Sequence, residues 1–492
     1  MLRADQIHTT EIDGVPTTWI DGSGPVTAIL SFRVGQADEP LPASGLSHLV
    51  EHLALSPLGV QDYDHNGFVE SRRTAFVIRG GPDDVTGFLG NLTRSLGDLP
   101  VDRLLTERTI LRQEASERGA GLPQYLLWSR YGATGLGARY ESEWGLGWLG
   151  PDPVRDWANR GFTRQNAVLV LKGRPPSGLR LDLADGVRWP TLAPPTAPGL
   201  RLPAHVPWDS AALAITLVIP RSPETNIAVN VLHRRLRTRL RYELGAVYDV
   251  ALDIERLDGN SAHVMFATEC DAGDVRRVVS VGLGVVDELA AAGPTEAEVA
   301  SEVEALRRDL DDPEGNLPFL DDRAVLTLLG GVTRLPEEVF ALRTSMTPEA
   351  VRAAFEAALG SMMIFGDSLN PQSERFTTVP MWSPTAVEGR EIAPAGRHLP
   401  GRGPKQRLIE GRDGLTVRDS PTQQSTVRFN DVVVVAHATG LRLLVGRDGF
   451  RVRVAASDWK DGQAIIDRID ARVPPELIAC DEHSPGALAD PA

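Results

Sequence analysis

His48-Leu49-Val50-Glu51-His52 is the stretch on which the reading of this 492-residue chain turns. On a helix, His48 and His52 lie one turn apart and point the same way. Glu51 shares their face, three positions after the first and one before the second. Two imidazoles at that spacing can take two corners of a metal tetrahedron, and a carboxylate beside them can accept a proton from water polarised there. A lone match to such a pattern carries little, because long chains produce it by chance. The setting strengthens it. Ser44, behind Pro42, is a candidate N-cap, Leu46, Leu49, Val50 and Leu53 form an apolar stripe at helical spacing, and Pro57 stops the run. The spacing therefore predicts a short amphipathic helix with both imidazoles and the carboxylate on one face.

A metal held by two imidazoles needs a third protein ligand. Residues 101–118, VDRLLTERTILRQEASER, form a second helical pattern, with Asp102 as cap after Pro100 and Leu104, Leu105, Ile110 and Leu111 as its buried side. Glu107 and Glu114 are two turns apart and share a face. By themselves two such residues are usually a solvated face. Opposite the histidines, one becomes a ligand and the other a carboxylate that orients an imidazole.

Taken together, these segments resemble the pitrilysin/insulinase family of zinc metallopeptidases, in which the histidine motif runs in the inverted HxxEH order. The likeness is to the single-half form found in bacterial and mitochondrial processing peptidases. GLSHLVEHLAL (45–55) is similar to the family's first signature, and ERTILRQE (107–114) to its third-ligand helix. The resemblance implies one Zn²⁺ per chain, held by His48, His52 and Glu114, with Glu51 as general base and Glu107 as the orienting carboxylate. NGFVESRRTAFVIR (66–79) resembles the family's edge strand, which would set Asn66, Gly67 and Phe68 along the backbone of an extended peptide. The interval from His52 to Glu114 is shorter than the family's usual one. The shortfall falls between residues 56 and 65, where a helix is trimmed.

Residues 240–250, LRYELGAVYDV, resemble a second family signature. A helix carrying Arg241 should end at Gly245, a residue suited to the left-handed position after a helix, and a strand should begin near Tyr248. Singly, these would be a surface arginine and a core tyrosine. The resemblance makes them a pair of donors that bind substrate and stabilise the tetrahedral oxyanion. Fainter similarity runs through 149–173, so the likeness covers roughly residues 10–370.

The net charge of −15 argues against nucleic acid as a partner and mildly favours neutral or basic peptides. The N-terminus has no signal-peptide pattern, no apolar run approaches a membrane span, and Cys270 and Cys480 fit neither a disulfide framework nor a metal knuckle. A cytoplasmic chain without a membrane partner is expected.

The fold class expected is α+β, with two tandem halves, each a sheet with helices packed on one face. Residues 1–195 form the zinc-binding half and 196–370 the half with the Arg/Tyr motif, separated by the Pro-rich stretch 188–207. A Pro/Gly/Arg-rich linker spans 371–405. Short strand patterns and a closing helix at 462–473 make 406–482 a small β-barrel-like accessory domain, pleckstrin-homology-like in outline, before a tail at 483–492.

The activity expected is zinc-dependent hydrolysis of short or unfolded peptides in a dimeric cleft, leader removal from a peptide precursor being one instance. Both motifs lie on one chain, which favours a homodimer and leaves a heterodimer open. The alternative is a non-catalytic peptide-binding or scaffolding subunit of the same fold.

Overall fold

The computed structural model describes residues 1–117, 122–139, 141, 143–207, 211–366, 375–395 and 406–480. In the first half, Val26, Ala28, Leu30 and Phe32 alternate along one strand and bury completely or nearly so. That strand, β3 (Val26–Phe32), lies inside a six-stranded sheet with β1 (Ile7–Ile12), β2 (Val15–Ile20), β4 (Asp64–Val69), β5 (Thr74–Gly80) and β6 (Ala167–Lys172). Their order is β1-β2-β6-β3-β5-β4, antiparallel except where β2 meets β6. Asp13 and Gly14, both at positive φ, make the two-residue turn between β1 and β2. β4 stands at the sheet's edge, one side unpaired among the described residues.

The helices of this half are α1 (Leu46–Leu55), α2 (Pro82–Gly97), α3 (Leu104–Glu117), α4 (Leu122–Tyr131) and α5 (Pro151–Gly161). α1, α2 and α5 pack their apolar stripes over Leu30, Phe32 and Phe76. Residues 56–63 hold no helix. They border an open depression lined in part by Tyr63, Asp83, Asp84 and Asp98.

The second half repeats the mixture. Its strands are β7 (Ala204–Val206), β8 (Ala212–Pro220), β9 (Ala251–Arg256), β10 (Ser261–Glu269), β11 (Met363–Phe365) and β12 (Thr377–Thr378), in the order β12-β7-β11-β8-β10-β9. Its helices are α6 (Pro223–Arg237), α7 (Val275–Ala292), α8 (Glu296–Asp311), α9 (Asn316–Leu328), α10 (Pro336–Thr344) and α11 (Pro348–Ala358). Among the described residues no single helix is long and apolar enough to cross a membrane.

Each sheet's own helices cover one face, and the other half covers the second. Leu320, Ala324 and Leu328 of α9 pack on Ile20, Val168 and Val170 of the first sheet. In exchange, Leu126 of α4 packs on Ala204, Ala214 and Phe365 of the second. Arg130 of α4, fully buried, donates to the Thr216 hydroxyl (2.6 Å) and the Ser361 carbonyl (2.9 Å). Arg73 and Asp321 form an ion pair across the same junction. This reciprocal cover was not expected from helices on one face alone.

The C-terminal unit has two four-stranded sheets. One comprises β13 (Gly389–Ile392), β14 (Arg407–Gly411), β15 (Gly414–Ser420) and β16 (Gln423–Arg428). The other comprises β17 (Val432–Ala438), β18 (Leu441–Gly446), β19 (Arg451–Ala455) and β20 (Ile478–Cys480). They share a core of Leu415, Val427, Leu444 and Val452 with Ile465 and Ile469 of α12 (Gly462–Asp470). The expected closing helix is not last, since β20 follows α12 and pairs parallel to β17.

The stretch 371–405 is not all linker: β12 extends the second sheet and β13 the third, while 367–374 and 396–405 lie outside the described residues, as do 481–492. Asp102 does not cap α3. It sits in a 3₁₀ turn, Val101–Arg103, that leads into the helix. On α3, Leu104 and Leu111 are buried, but Leu105 is 73% exposed and Ile110 is also exposed, because the helix leans on α1 along a narrow seam. β9 begins at Ala251, three residues beyond Tyr248.

Candidate metal centre

α1 is started by an unforeseen residue. Gly45 is the N-cap, at φ 97°, where a side chain would crowd Glu143 and Leu146. Ser44 does not cap. Its hydroxyl accepts the Trp144 N–H (2.9 Å) and its carbonyl accepts the Gly145 N–H (2.9 Å). The unpaired amides at the helix start are met by Glu39, whose two oxygens accept the Gly45 and Ser47 N–H groups at 2.7 Å each. Burial pushes the Glu39 carboxyl up to about 7 against the pull of those hydrogen bonds. Leu46, Leu49, Val50 and Leu53 are buried, which turns the opposite face of α1 toward α3 and β4.

On that face His48, His52 and Glu114 converge, with one ligand atom from each lying within 4.8 Å of the others. The Glu114 carboxylate is 3.8 Å from His48 Nε2 and 3.6 Å from His52 Nε2. Zinc bonds of about 2.0–2.1 Å at tetrahedral angles separate ligand atoms by roughly 3.3 Å, so the three atoms would draw together from a spread of up to 4.8 Å to hold the ion. Both Nε2 atoms face the centre because both Nδ1 atoms are occupied. His48 Nδ1 donates to Glu143 (2.8 Å), and His52 Nδ1 donates to Glu107 at a longer 3.3 Å. With the proton on Nδ1, each Nε2 presents a lone pair inward. Glu107 is itself held by Arg103 (2.9 Å). Two imidazoles and a carboxylate, each imidazole backed by a second carboxylate, fit a zinc ion.

Glu51 lies beside the same atoms, 3.9 Å from His48 Nε2 and 3.7 Å from His52 Nε2. Its side chain is only 6% exposed, whereas Glu114 is 44% exposed and marks the side open to solvent. Burial raises the Glu51 pKa, opposed by the two imidazoles. β4 crosses directly over it, and a Cβ on Gly67 would stand 2.1 Å from Glu51 Oε1. Gly67 thus lets the edge strand approach the carboxylate. Asn66 is exposed on that edge, and Phe68 lies half-buried under the Arg73 guanidinium.

Arg241 and Tyr248 form a pair of their own on the second half. α6 runs on into a wider π-type turn, Thr238–Glu243, which carries Arg241, and Gly245 follows at φ 66° as expected. The guanidinium lies over the rings of Tyr242 and Tyr248, at 5.3 and 5.1 Å, and 3.8 Å from Asp249. Tyr248 is 87% exposed, so it is no core tyrosine.

Glu143 was missed in the sequence. It precedes a 3₁₀ turn, Trp144–Gly147, in a segment without helical or strand periodicity, and only the tertiary fold brings it to His48. The one available signal was chemical, since each metal-binding imidazole calls for an acceptor at its other nitrogen.

No protein-family model matches the sequence, and no curated protein matches it. Solved structures do match. A peptidase M16 inactive domain from Pseudomonas fluorescens is 15% identical with a TM-score of 0.61, the match covering 73% of this chain and 97% of that one. A protease from Helicobacter pylori is 13% identical with a TM-score of 0.60, covering 74% and 99%. The periplasmic protease PqqL from Escherichia coli is 13% identical with a TM-score of 0.58, covering 90% of this chain and 57% of that one. The chain thus has the fold of the M16 peptidases, two sheet-bearing halves in tandem. That fold hosts proteases and an inactive domain alike, so chemistry has to be argued from the centre itself.

Proposed function

We propose that this chain is a zinc-dependent endopeptidase acting on short or unfolded peptides. The observation that carries the reading is the convergence of His48, His52 and Glu114 with Glu51 beside them and a carboxylate behind each imidazole. His48, His52 and Glu114 would hold the ion, which when bound supplies Lewis acidity toward a water and a peptide carbonyl. Glu51 takes the proton of the attacking water and returns it to the leaving amine. Its burial raises its proton affinity, which suits a group that must hold a proton between the two steps. The free edge of β4 takes the substrate as an added strand along Asn66–Phe68, which selects extended chains.

Arg241 and Tyr248 offer a guanidinium and a phenol to the developing oxyanion. They stand on the other half of the chain, so the working cleft is read as one shared by two copies, the pair of one facing the metal centre of the other. A heterodimer with a different facing half is the variant of this reading. The chain is read as cytoplasmic, and the C-terminal unit as a pleckstrin-homology-like accessory domain. The likeness to an inactive M16 domain supports a second reading, a non-catalytic peptide-binding or scaffolding subunit.

Mass-spectrometric detection of cleavage in a pool of unstructured peptides, wild type beside Glu51→Gln, tests the proposal. Products from wild type alone support the endopeptidase. Zinc-loaded wild type that cuts nothing points to a missing partner half or to the scaffold.

A further inference from the structure

The C-terminal unit is seated against the segment that carries Glu143. Ala436, Leu441, Leu443 and Ala455 of its second sheet bury one side of Trp144, the residue after Glu143. Val433, Val434 and Val445 pack beside them with Trp128, Trp144 and Trp148. Glu141, whose side chain is only 3% exposed, accepts from Arg451 of β19 (2.8 Å) and from Gln124 (2.7 Å), and the Arg451 guanidinium lies 4.6 Å over the Trp128 ring.

Two glycines show how closely the surfaces meet. A Cβ on Gly132 would stand 2.1 Å from the Arg447 carbonyl, and one on Gly449 would stand 1.6 Å from Trp128 Nε1. The Ala133 N–H donates to that same Arg447 carbonyl (3.0 Å). Contacts of this closeness, with a partly buried ion pair, mark a built junction.

On its other side the segment touches the metal centre. Trp144 and Gly145 donate to Ser44 at the start of α1, and Arg108 of α3 donates to the Leu146 and Gly147 carbonyls (2.7 and 2.5 Å). Residues 143–148 are thus held between the ligand helices and the C-terminal unit, and Glu143 points from them to His48 Nδ1.

We propose that the C-terminal β-unit is a positioning element of the metal centre, acting through this segment and the Glu143 carboxylate on the orientation of His48. The proposal rests on the zinc-binding reading above. Arg451 and Val434 are positioning residues, since they act on the ligand only through the segment. α1 and α3 supply the remaining anchors, so loss of the C-terminal contacts weakens the centre and does not abolish it.

Zinc affinity of the full chain, measured by competition with a chromophoric chelator, tests this, with thermal unfolding run alongside. Glu143→Gln should lower affinity roughly 10- to 100-fold. Arg451→Gln should lower it about three- to tenfold, and Arg451→Lys, which keeps the charge on Glu141, should recover most of the loss. In the Glu143→Gln background, Arg451→Gln should have no further effect, because its route to His48 is already cut. Val434→Ala, on the hydrophobic side of the junction, should act in the same direction and serves if Arg451→Gln does not fold. Wild-type affinity in both junction variants, or losses that multiply with that of Glu143→Gln, would overturn the positioning role. A wild-type chain that takes up no zinc would overturn it together with the functional reading.

Discussion

Gly67→Ala separates catalysis from folding. The added methyl would stand 2.1 Å from Glu51 Oε1 and 2.7 Å from Glu51 Cδ and Cγ. Relaxed contacts lie near 3.5 Å, so the two groups must part by roughly 1 Å or more. Between them, the strand is tied to β5 along six residue pairs, while the Glu51 carboxylate is the free end of a side chain. The carboxylate is therefore what gives way. Fold stability should change by no more than about 1 kcal/mol, since the strained partner can rotate and alanine costs less backbone entropy than glycine. Zinc content should be unchanged, because none of the three proposed ligands is touched. If Glu51 is the base, displacing it by about 1 Å should lower kcat/KM on the order of 10²-fold, about 2.7 kcal/mol of transition-state stabilisation. Peptide cleavage kinetics, metal content and urea unfolding on the same preparation check the three parts. Turnover within a factor of about two of wild type, with zinc retained, would refute the placement of Glu51 as the base.

Glu39 predicts a pH dependence of stability. Its folded pKa of about 7 is above the ordinary 4.5, so its favourable contribution is present below pH 4.5 and is lost as pH rises through 7. Relative to Glu39→Gln, wild type should lose about 3 kcal/mol between those limits, read from urea unfolding across the pH range; parallel profiles would contradict it. At the junction of the halves, Thr216→Val takes the hydroxyl acceptor from the buried Arg130 guanidinium and should cost about 2 kcal/mol in denaturant unfolding. Arg130→Met, which removes the buried charge altogether, should cost less than Thr216→Val, and a larger loss would show that the charge itself holds the halves together. Tyr248→Phe should leave zinc content and unfolding untouched, because the ring is exposed, and lower peptide turnover by about tenfold or more.

What could be read in the sequence was what is local. His48, Glu51 and His52 fall on one face because a helix has a fixed period, and Glu107 and Glu114 share a face for the same reason. Strand positions in the C-terminal unit were legible from alternation and turn residues, as Val432–Ala438 and Leu441–Gly446 show. The residues that escaped act over distance. Glu143 reaches His48 from a segment without periodicity, and Glu39 starts α1 across a turn where Ser44 had the local features of a cap. Leu105 and Ile110 were assigned to the core by type, and the tertiary seam of α3 left them outside. The mutual covering of the sheets by α4 and α9 depends on how two halves meet, which no local pattern encodes.

The zinc content of chain purified without added metal tests the proposed metal centre most directly, with His52→Ala and Glu114→Ala as controls. Wild type should carry about one zinc ion per chain, and both variants should lose most of it with the fold intact by circular dichroism. A folded wild-type chain without zinc, or full zinc content in either variant, would contradict it.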